Sequence, residues 1–207
     1  MTSWLRRNRW GLLALPVAAA LAVGANAQRL HDYWWTVDLR NAAATGSQGE
    51  WVTWSDDFTD ALGDGTRTLR VKVSRAESTA DSGAMSDVAT DLELPPDLMG
   101  FRVTMDFEAE TDQVLFGCRM ALLDDAGNRY VYTPNTKGLS QEMSPCLLGN
   151  QEGPVPSISA GEPRTAIYGE RPPQWTTQAV VVVPHSAKIT QVLLWWEQPD
   201  YLEVKLN

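Results

Sequence analysis

The sequence predicts an all-β fold, an antiparallel β-sandwich that follows an N-terminal membrane helix or signal segment. About seven to nine short runs after Gln28 alternate apolar and polar side chains, which is the period of a strand with one buried face. Clusters of Gly, Asp, Asn and Pro separate these runs, as turns do in antiparallel sheets. A hydrophobic fraction of 43% gives the chain enough apolar material for one full core. A β-barrel is the main alternative architecture.

The first 28 residues form an export segment. Residues 1–9 are predicted to be a cytoplasmic basic tail, because their three arginines follow the positive-inside rule. Residues 10–28 carry no charge and form either a transmembrane anchor or a signal segment. As a helix, Trp10 to Ala27 would span about 27 Å, close to the thickness of a bilayer core. We therefore expect a cell-membrane protein that contacts the membrane through residues 10–28, with a single pass and the C-terminal domain outside.

Cleavage following Ala27 is the alternative. Ala25 and Ala27 place small residues at the two positions that a signal peptidase reads, and Gly24 favours the end of a helix before them. Cleavage there would release the remainder as a secreted protein. The apolar stretch has no cysteine near its end, which excludes a lipid-modified lipoprotein.

The chain beyond the basic tail is strongly acidic. Removing the three arginines of the tail from the 17 basic residues leaves 14 of them against 26 acidic residues, a net charge of about −12. A protein that neutralises phosphates needs a basic patch. We therefore expect no nucleic-acid partner.

Two segments divide the remaining chain. Residues 29–49 are predicted to be a juxtamembrane segment with the first strand, which we place around residues 34–39 and follow with a tether or loop over residues 41–49. Residues 50–207 are predicted to be the extracytoplasmic sandwich domain. Within it, "EWVTWSDDFTD" and "TLRVKVS" flank the glycines of residues 63–65 and indicate a hairpin.

Later runs indicate further strands and two irregular segments. "FRVTMDFEAE" and "YLEVKL" alternate, whereas "AVVVV" at residues 179–183 is apolar on both faces, which favours a central strand. "VLFGCRMALLD" places Phe116 and Cys118 on one inward face, and "DDAGN" then turns the chain into "RYVYT". Residues 74–91 are predicted to be a loop, and residues 134–174 a long irregular connection.

Cys118 and Cys146 are the two cysteines of the sequence. Export into an oxidising compartment favours a disulfide between them. Closing a loop of about 28 residues stabilises a fold by about 3–4 kcal/mol in the chain-entropy model. A zinc site is less favoured, because neither cysteine has a second close cysteine or histidine.

Several segments resemble known proteins. The start "LRRNRWGLLALP", the cluster "YWW" and the later "CRMALLDDAGNRY" and "VVVP" resemble uncharacterised exported or membrane-anchored proteins of actinobacteria. Over residues 98–207, a D-x-x-G turn, a valine strand ending in "VP" and a final "YLEVKL" are similar to immunoglobulin-like domains of secreted mycobacterial antigens and Gram-positive surface lipoproteins. The resemblance implies an immunoglobulin-like sandwich and brings no catalytic residues. The sequence departs from the lipoproteins in lacking their lipobox cysteine.

Motifs for catalysis and metal binding are weak in this sequence. His31 lies beside the apolar segment and His185 in a turn, and no G-x-S-x-G elbow accompanies them. We therefore predict no catalytic residue, no cofactor and no metal. Calcium remains open at a cluster of aspartates whose spacing differs from that of the EF-hand loop. The cluster consists of Asp56, Asp57, Asp60 and Asp64.

Tryptophan is abundant, since seven of the nine lie after Gln28. Adjacent residues of a strand face opposite sides of a sheet, so at most one of Trp195 and Trp196 is expected in the core. The other is expected to be exposed or covered by a loop, and Trp175 to pack over an outer sheet face. These three tryptophans are the candidate contact residues of the protein.

The sequence therefore predicts a non-enzymatic cell-envelope protein. Its exported immunoglobulin-like domain would interact with an envelope protein or with cell-wall components. The alternative is a carbohydrate-binding module that uses exposed tryptophans on cell-wall glycan.

Overall fold

The apolar start of the chain is helical. Helix α1 spans Thr2–Arg7, helix α2 spans Arg9–Leu30, and a π-helical turn follows at His31–Trp35. Among the described residues, Arg9–Arg29 is the one helical stretch long and apolar enough to cross a membrane, and it is not buried against the protein. A membrane anchor and a signal peptide share this length and composition. The computed structural model describes residues 2–35, 37–79, 94–134 and 143–207.

Alternating apolar residues build two β-sheets that pack face to face. The five-stranded sheet has the order β1-β9-β8-β5-β6 and the four-stranded sheet the order β2-β3-β4-β7. The β-sandwich predicted from the sequence is therefore confirmed. The strands of the described residues are β1 (Asn41–Ser47), β2 (Val52–Asp60), β3 (Gly63–Thr79), β4 (Leu98–Glu108), β5 (Arg119–Asp124), β6 (Arg129–Val131), β7 (Gln174–Pro184), β8 (Ile189–Trp195) and β9 (Asp200–Lys205).

The connectivity differs in part from the prediction. Strand β1 pairs with β9 in parallel, while the other strand pairs of the described residues are antiparallel. Immunoglobulin constant-type domains place their fifth strand between the second and the fourth. Here β2, β3 and β4 are neighbours in chain order. The sandwich is mostly antiparallel, and this strand order does not establish an immunoglobulin-like connectivity.

The core lies between the two sheets and follows the predicted alternation. On β3 the predicted inward residues Leu69, Val71 and Val73 are buried, and Phe107 on β4 joins them. The β2–β3 hairpin is confirmed, but its two-residue turn at residues 61–62 precedes the predicted glycines. The β5–β6 hairpin is also confirmed at the predicted turn.

The first strand begins later than predicted. Residues 34–35 belong to the π-helical turn, and β1 occupies Asn41–Ser47, where a tether or loop was expected. Its sequence, "NAAATGS", has little intrinsic preference for strands. The pairing with β9 at the opposite end of the chain supplies the hydrogen bonds that keep it extended.

Three further predictions are corrected. Strand β5 begins at Arg119, and Phe116 is 43% exposed, because Gly117 with a φ of 90° interrupts the alternation. Strand β7 is an edge strand of its sheet although Val180 and Val181 are both buried. The predicted loop over residues 74–91 begins inside β3, and its residues 80–91 lie outside the described residues.

Candidate functional site

The predicted disulfide between Cys118 and Cys146 is formed, with Cα atoms 6.0 Å apart. Both cysteines are buried in the core, as expected for an inward-facing Cys118. The bridge joins the start of β5 to the irregular connection before β7. It therefore holds a long segment without regular strands against the sandwich.

The three candidate contact tryptophans are all buried, which corrects their predicted role. Trp175 is 6% exposed and lies in the inter-sheet core instead of over an outer face. Its ring stacks on Phe107 with ring centroids 5.3 Å apart. Trp175 therefore cannot offer its ring to a ligand in this conformation.

Trp195 and Trp196 divide between two apolar clusters. Trp196 enters the inter-sheet core, where its Nε1 donates a hydrogen bond of 2.8 Å to the carbonyl oxygen of Leu115. Trp195 lies in a second buried cluster, which also contains Leu39 and Leu193. The sequence predicted at most one of the pair in the core and the other exposed or covered by a loop. Trp196 lies in the inter-sheet core and Trp195 is covered, so neither is a surface contact.

A buried arginine holds the irregular connection in place. Arg171 is 1% exposed, and its Nη1 donates hydrogen bonds of 3.0 Å and 3.4 Å to the carbonyl oxygens of Gln113 and Glu152. Its guanidinium lies 4.9 Å from the ring centroid of Trp175. Burial lowers the pKa of Arg171 to about 10. We assign this arginine a role in the fold.

An acidic groove lies between the β2–β3 hairpin and the turn that joins β8 to β9. It consists of two adjoining hollows of about 410 Å³ and 490 Å³, which share Asp57 and Glu197. The groove lies near the point where the chain enters the sandwich. At that point the backbone N–H of Arg40 donates a hydrogen bond of 3.0 Å to the carbonyl oxygen of Pro199. Its carboxylates belong to Asp56, Asp57, Asp64, Glu197 and Asp200.

Arg67 lies buried beside this groove and is 3% exposed. Its Nε is 3.3 Å from Oδ2 of Asp56, and its Nη2 is 3.0 Å from Oε1 of Glu197. The guanidinium also lies 4.8 Å from the ring centroid of Phe58. Desolvation lowers the pKa of Arg67 and raises the pKa of Asp56. The pairing with Arg67 gives Asp56 a structural role.

Asp60, another member of the predicted aspartate cluster, is engaged by Arg164. Its Oδ2 accepts hydrogen bonds from Nε of Arg164 at 2.7 Å and from the backbone of Ser157 at 3.0 Å. Its Oδ1 accepts from Nη2 of Arg164 at 3.1 Å. The hydrogen bond from Arg164 holds the pKa of Asp60 well below its ordinary range.

The structure places the two histidines in separate exposed segments. His31 and His185 are both exposed, and they lie at the end of helix α2 and in the β7–β8 turn. Among the described residues, no group of three or more His, Cys, Asp or Glu side chains is arranged to hold a metal ion.

The outer face of the four-stranded sheet carries an ordered array of polar side chains beside an aromatic ring. Two cross-strand rows form it, because the register sets Lys72 opposite Asp106 and Arg70 opposite Glu108. A hollow of about 290 Å³ lies over part of this array and is lined by Trp51. We call this surface the Trp51 face. It consists of Trp51, Arg70, Lys72, Asp106, Glu108, Gln174 and Thr176.

The polar groups of the Trp51 face pair with one another. Lys72 Nζ lies 3.0 Å from Oδ2 of Asp106, and Thr176 Oγ1 donates a hydrogen bond of 2.8 Å to Oδ1 of the same carboxylate. In the next row, Nη1 of Arg70 lies 2.6 Å from Oε2 of Glu108. The hydrogen bonds fix these side chains in position at the surface.

Trp51 is the tryptophan that the sequence reasoning missed as a contact residue. It is partly exposed, and its ring centroid lies 4.8 Å from Nζ of Lys72 and 5.0 Å from the guanidinium carbon of Arg70. The signal was present in "EWVTW", because burial of Val52 and Trp54 turns Trp51 to the other face.

Comparisons with known proteins yield low similarities. No protein-family model matches the chain, and no curated protein matches it in sequence. One solved structure it is similar to is MPT63, a secreted protein from Mycobacterium tuberculosis, with 18% identity, a TM-score of 0.37 and coverage of 77% of this chain and 95% of that one. Another is an uncharacterised β-sandwich protein from Clostridium difficile 630, with 9% identity, a TM-score of 0.37 and coverage of 81% and 95%.

Proposed function

We propose that the chain is a non-enzymatic cell-envelope protein that presents an exported β-sandwich domain for interaction with an envelope component. The observation that carries this proposal is the succession of an unburied apolar helix and a sandwich closed by a disulfide. An apolar helix that is not buried against the protein needs a membrane around it or removal by a signal peptidase. A structural disulfide persists outside the reducing cytoplasm.

The helix anchors the protein in the cell membrane in this proposal. It makes a single pass and leaves the C-terminal domain outside, because the arginines of the basic tail stay in the cytoplasm. Release after cleavage following Ala27 is the competing form. Both forms place the sandwich beyond the membrane.

The interaction uses the Trp51 face. This face combines a partly exposed aromatic ring with hydrogen-bonding side chains that are already ordered, as binding surfaces do. The alternative of a carbohydrate-binding module that uses exposed tryptophans cannot rest on Trp175, Trp195 or Trp196, since these rings are buried.

Cell fractionation tests this proposal. Intact mass and the N-terminal residue are measured for the protein in the cytosol, membrane and medium fractions. We expect an intact chain beginning at Met1 in the membrane, with the sandwich degraded by a protease added to cells whose outer layers have been made permeable. If the protein in the medium begins at Gln28, the secreted form is the correct one. Protein found in the cytosol alone contradicts the proposal.

A further inference from the structure

We propose that the Trp51 face binds a neutral polysaccharide, an inference that rests on the interaction role proposed above and names the ligand class. The face provides a partly exposed aromatic ring, over which the cations of Arg70 and Lys72 lie, and two rows of fixed hydrogen-bonding groups. A pyranose ring presents the matching chemistry, because its C–H groups form an apolar patch and its hydroxyls donate and accept hydrogen bonds at the rim.

The aromatic component is Trp51. Its indole is partly exposed beside the hollow, and the cations of Arg70 and Lys72 lie within about 5 Å of its ring. These contacts hold the ring in one orientation on the sheet. A sugar that stacks on the part of the ring that remains exposed then requires little further ordering of the side chain.

The polar component is the pair of carboxylates at the centre of the two rows. The side chains of Asp106 and Glu108 are 25% and 26% exposed, so each keeps contact with solvent while it is hydrogen bonded. An ionised carboxylate has about four acceptor positions, and its neighbours on the sheet use two of them at Glu108 and three at Asp106. The remaining positions can accept hydrogen bonds from sugar hydroxyls.

The charge of the face favours a neutral ligand. Its two cations, Arg70 and Lys72, are paired with its two carboxylates, so the local net charge is close to zero. Neither a polyanion nor a polycation gains long-range attraction from such a surface. A protein partner would need a desolvated apolar centre, whereas Trp51 is the partly exposed aromatic residue of this hollow, and Phe107 and Trp175, which also line it, are buried.

The extent of the face favours a chain of sugars over a single one. Its rows cross the three strands β3, β4 and β7, which at about 4.8 Å per strand spacing covers roughly 10 Å, and Trp51 adjoins them just before β2. That length exceeds one sugar ring. We therefore expect longer oligosaccharides to bind more tightly than monosaccharides.

Titration calorimetry of the full chain in detergent micelles tests this inference with cellohexaose, chitohexaose and glucose as probes. We expect at least one hexasaccharide to bind and glucose to bind at least about tenfold more weakly. Trp51→Ala should weaken hexasaccharide binding about tenfold, and Trp51→Phe should retain part of the affinity because it keeps a flat apolar ring. The matched control is Tyr168→Ala, since Tyr168 is 51% exposed on the irregular connection and should change affinity by less than about twofold.

Gln174→Ala is a second variant in case the tryptophan substitutions unfold the chain. Gln174 is exposed and its Nε2 donates a hydrogen bond of 3.2 Å to Oε1 of Glu108, so its removal should weaken binding with the melting temperature unchanged. Binding that survives both Trp51→Ala and Gln174→Ala, or absence of binding to every saccharide, overturns the inference. Tighter binding of polylysine or polyglutamate than of the hexasaccharides also overturns it. These results are independent of export, which the fractionation experiment decides.

Discussion

The indole Nε1 of Trp175 donates a hydrogen bond of 2.7 Å to the carbonyl oxygen of Cys146. This bond joins β7 to the residue that the disulfide fixes to the start of β5. Two residues along the same strand, Oγ1 of Thr177 donates a hydrogen bond of 2.7 Å to the carbonyl oxygen of Pro145. The irregular connection is therefore docked to β7 by buried hydrogen bonds as well as by the disulfide.

Trp175→Phe should destabilise the protein by about 1–3 kcal/mol, because it leaves the buried carbonyl of Cys146 without its donor. Trp175→Ala should cost about 3–5 kcal/mol, since it also removes the ring that stacks on Phe107. Urea denaturation at neutral pH measures both values. The exposed neighbour Gln174 provides a control, and Gln174→Ala should stay within about 0.5 kcal/mol of the natural chain. Equal stability of Trp175→Phe and this control would contradict the assigned role.

The disulfide should contribute about 3–4 kcal/mol to the free energy of unfolding, since the bridge closes a loop with a sequence separation of 28. The paired substitution Cys118→Ala with Cys146→Ala should lower the urea midpoint accordingly. Thiol titration of the exported protein should detect no free thiol, native or denatured, until a reductant is added. Two reactive thiols without reductant would refute the bridge.

Local alternation made the inter-sheet core predictable. Strands β2, β3 and β4 carry their buried residues at every second position, so burial of Leu69, Val71 and Phe107 follows from the order of residues alone. The presence of two cysteines in a chain predicted to be exported likewise predicted their bridge. Trp51 could have been assigned to the outer face by the same rule.

Burial and strand pairing that depend on distant segments of the chain could not be predicted from alternation. Trp195 is buried because Leu39, more than a hundred residues earlier, packs with it on the outer face of the five-stranded sheet. Strand β1 forms because it pairs with β9, although its own residues favour no strand. Both arrangements depend on where distant segments meet, and a periodic pattern in one segment carries no information about that.

Arg67 should be required for stability because it lies buried between two carboxylates. Arg67→Met removes the cation and leaves Asp56 as a buried carboxylate without its partner, which should cost about 3–5 kcal/mol. The double variant Arg67→Met with Asp56→Asn removes both charges and should recover a large part of the loss. Urea denaturation of the two single variants and the double variant measures the coupling. Strictly additive effects would show that the pair does not act as a unit.

Asp60 should make the stability of the protein depend on pH in the acid range. Its pKa is lower in the folded chain than its ordinary value of about 3.9, chiefly because Arg164 donates hydrogen bonds to it. The stabilisation from this carboxylate is therefore fully present above about pH 4 and is lost as the pH falls below that value. Asp60→Asn should lower the melting temperature at pH 7, and the gap to the natural chain should narrow as the pH falls from 5 to 2. Asp125→Asn, at an exposed turn position, is the control and should follow the natural chain. A gap between Asp60→Asn and the natural chain that stays constant over this pH range would contradict the role of the Asp60–Arg164 pair.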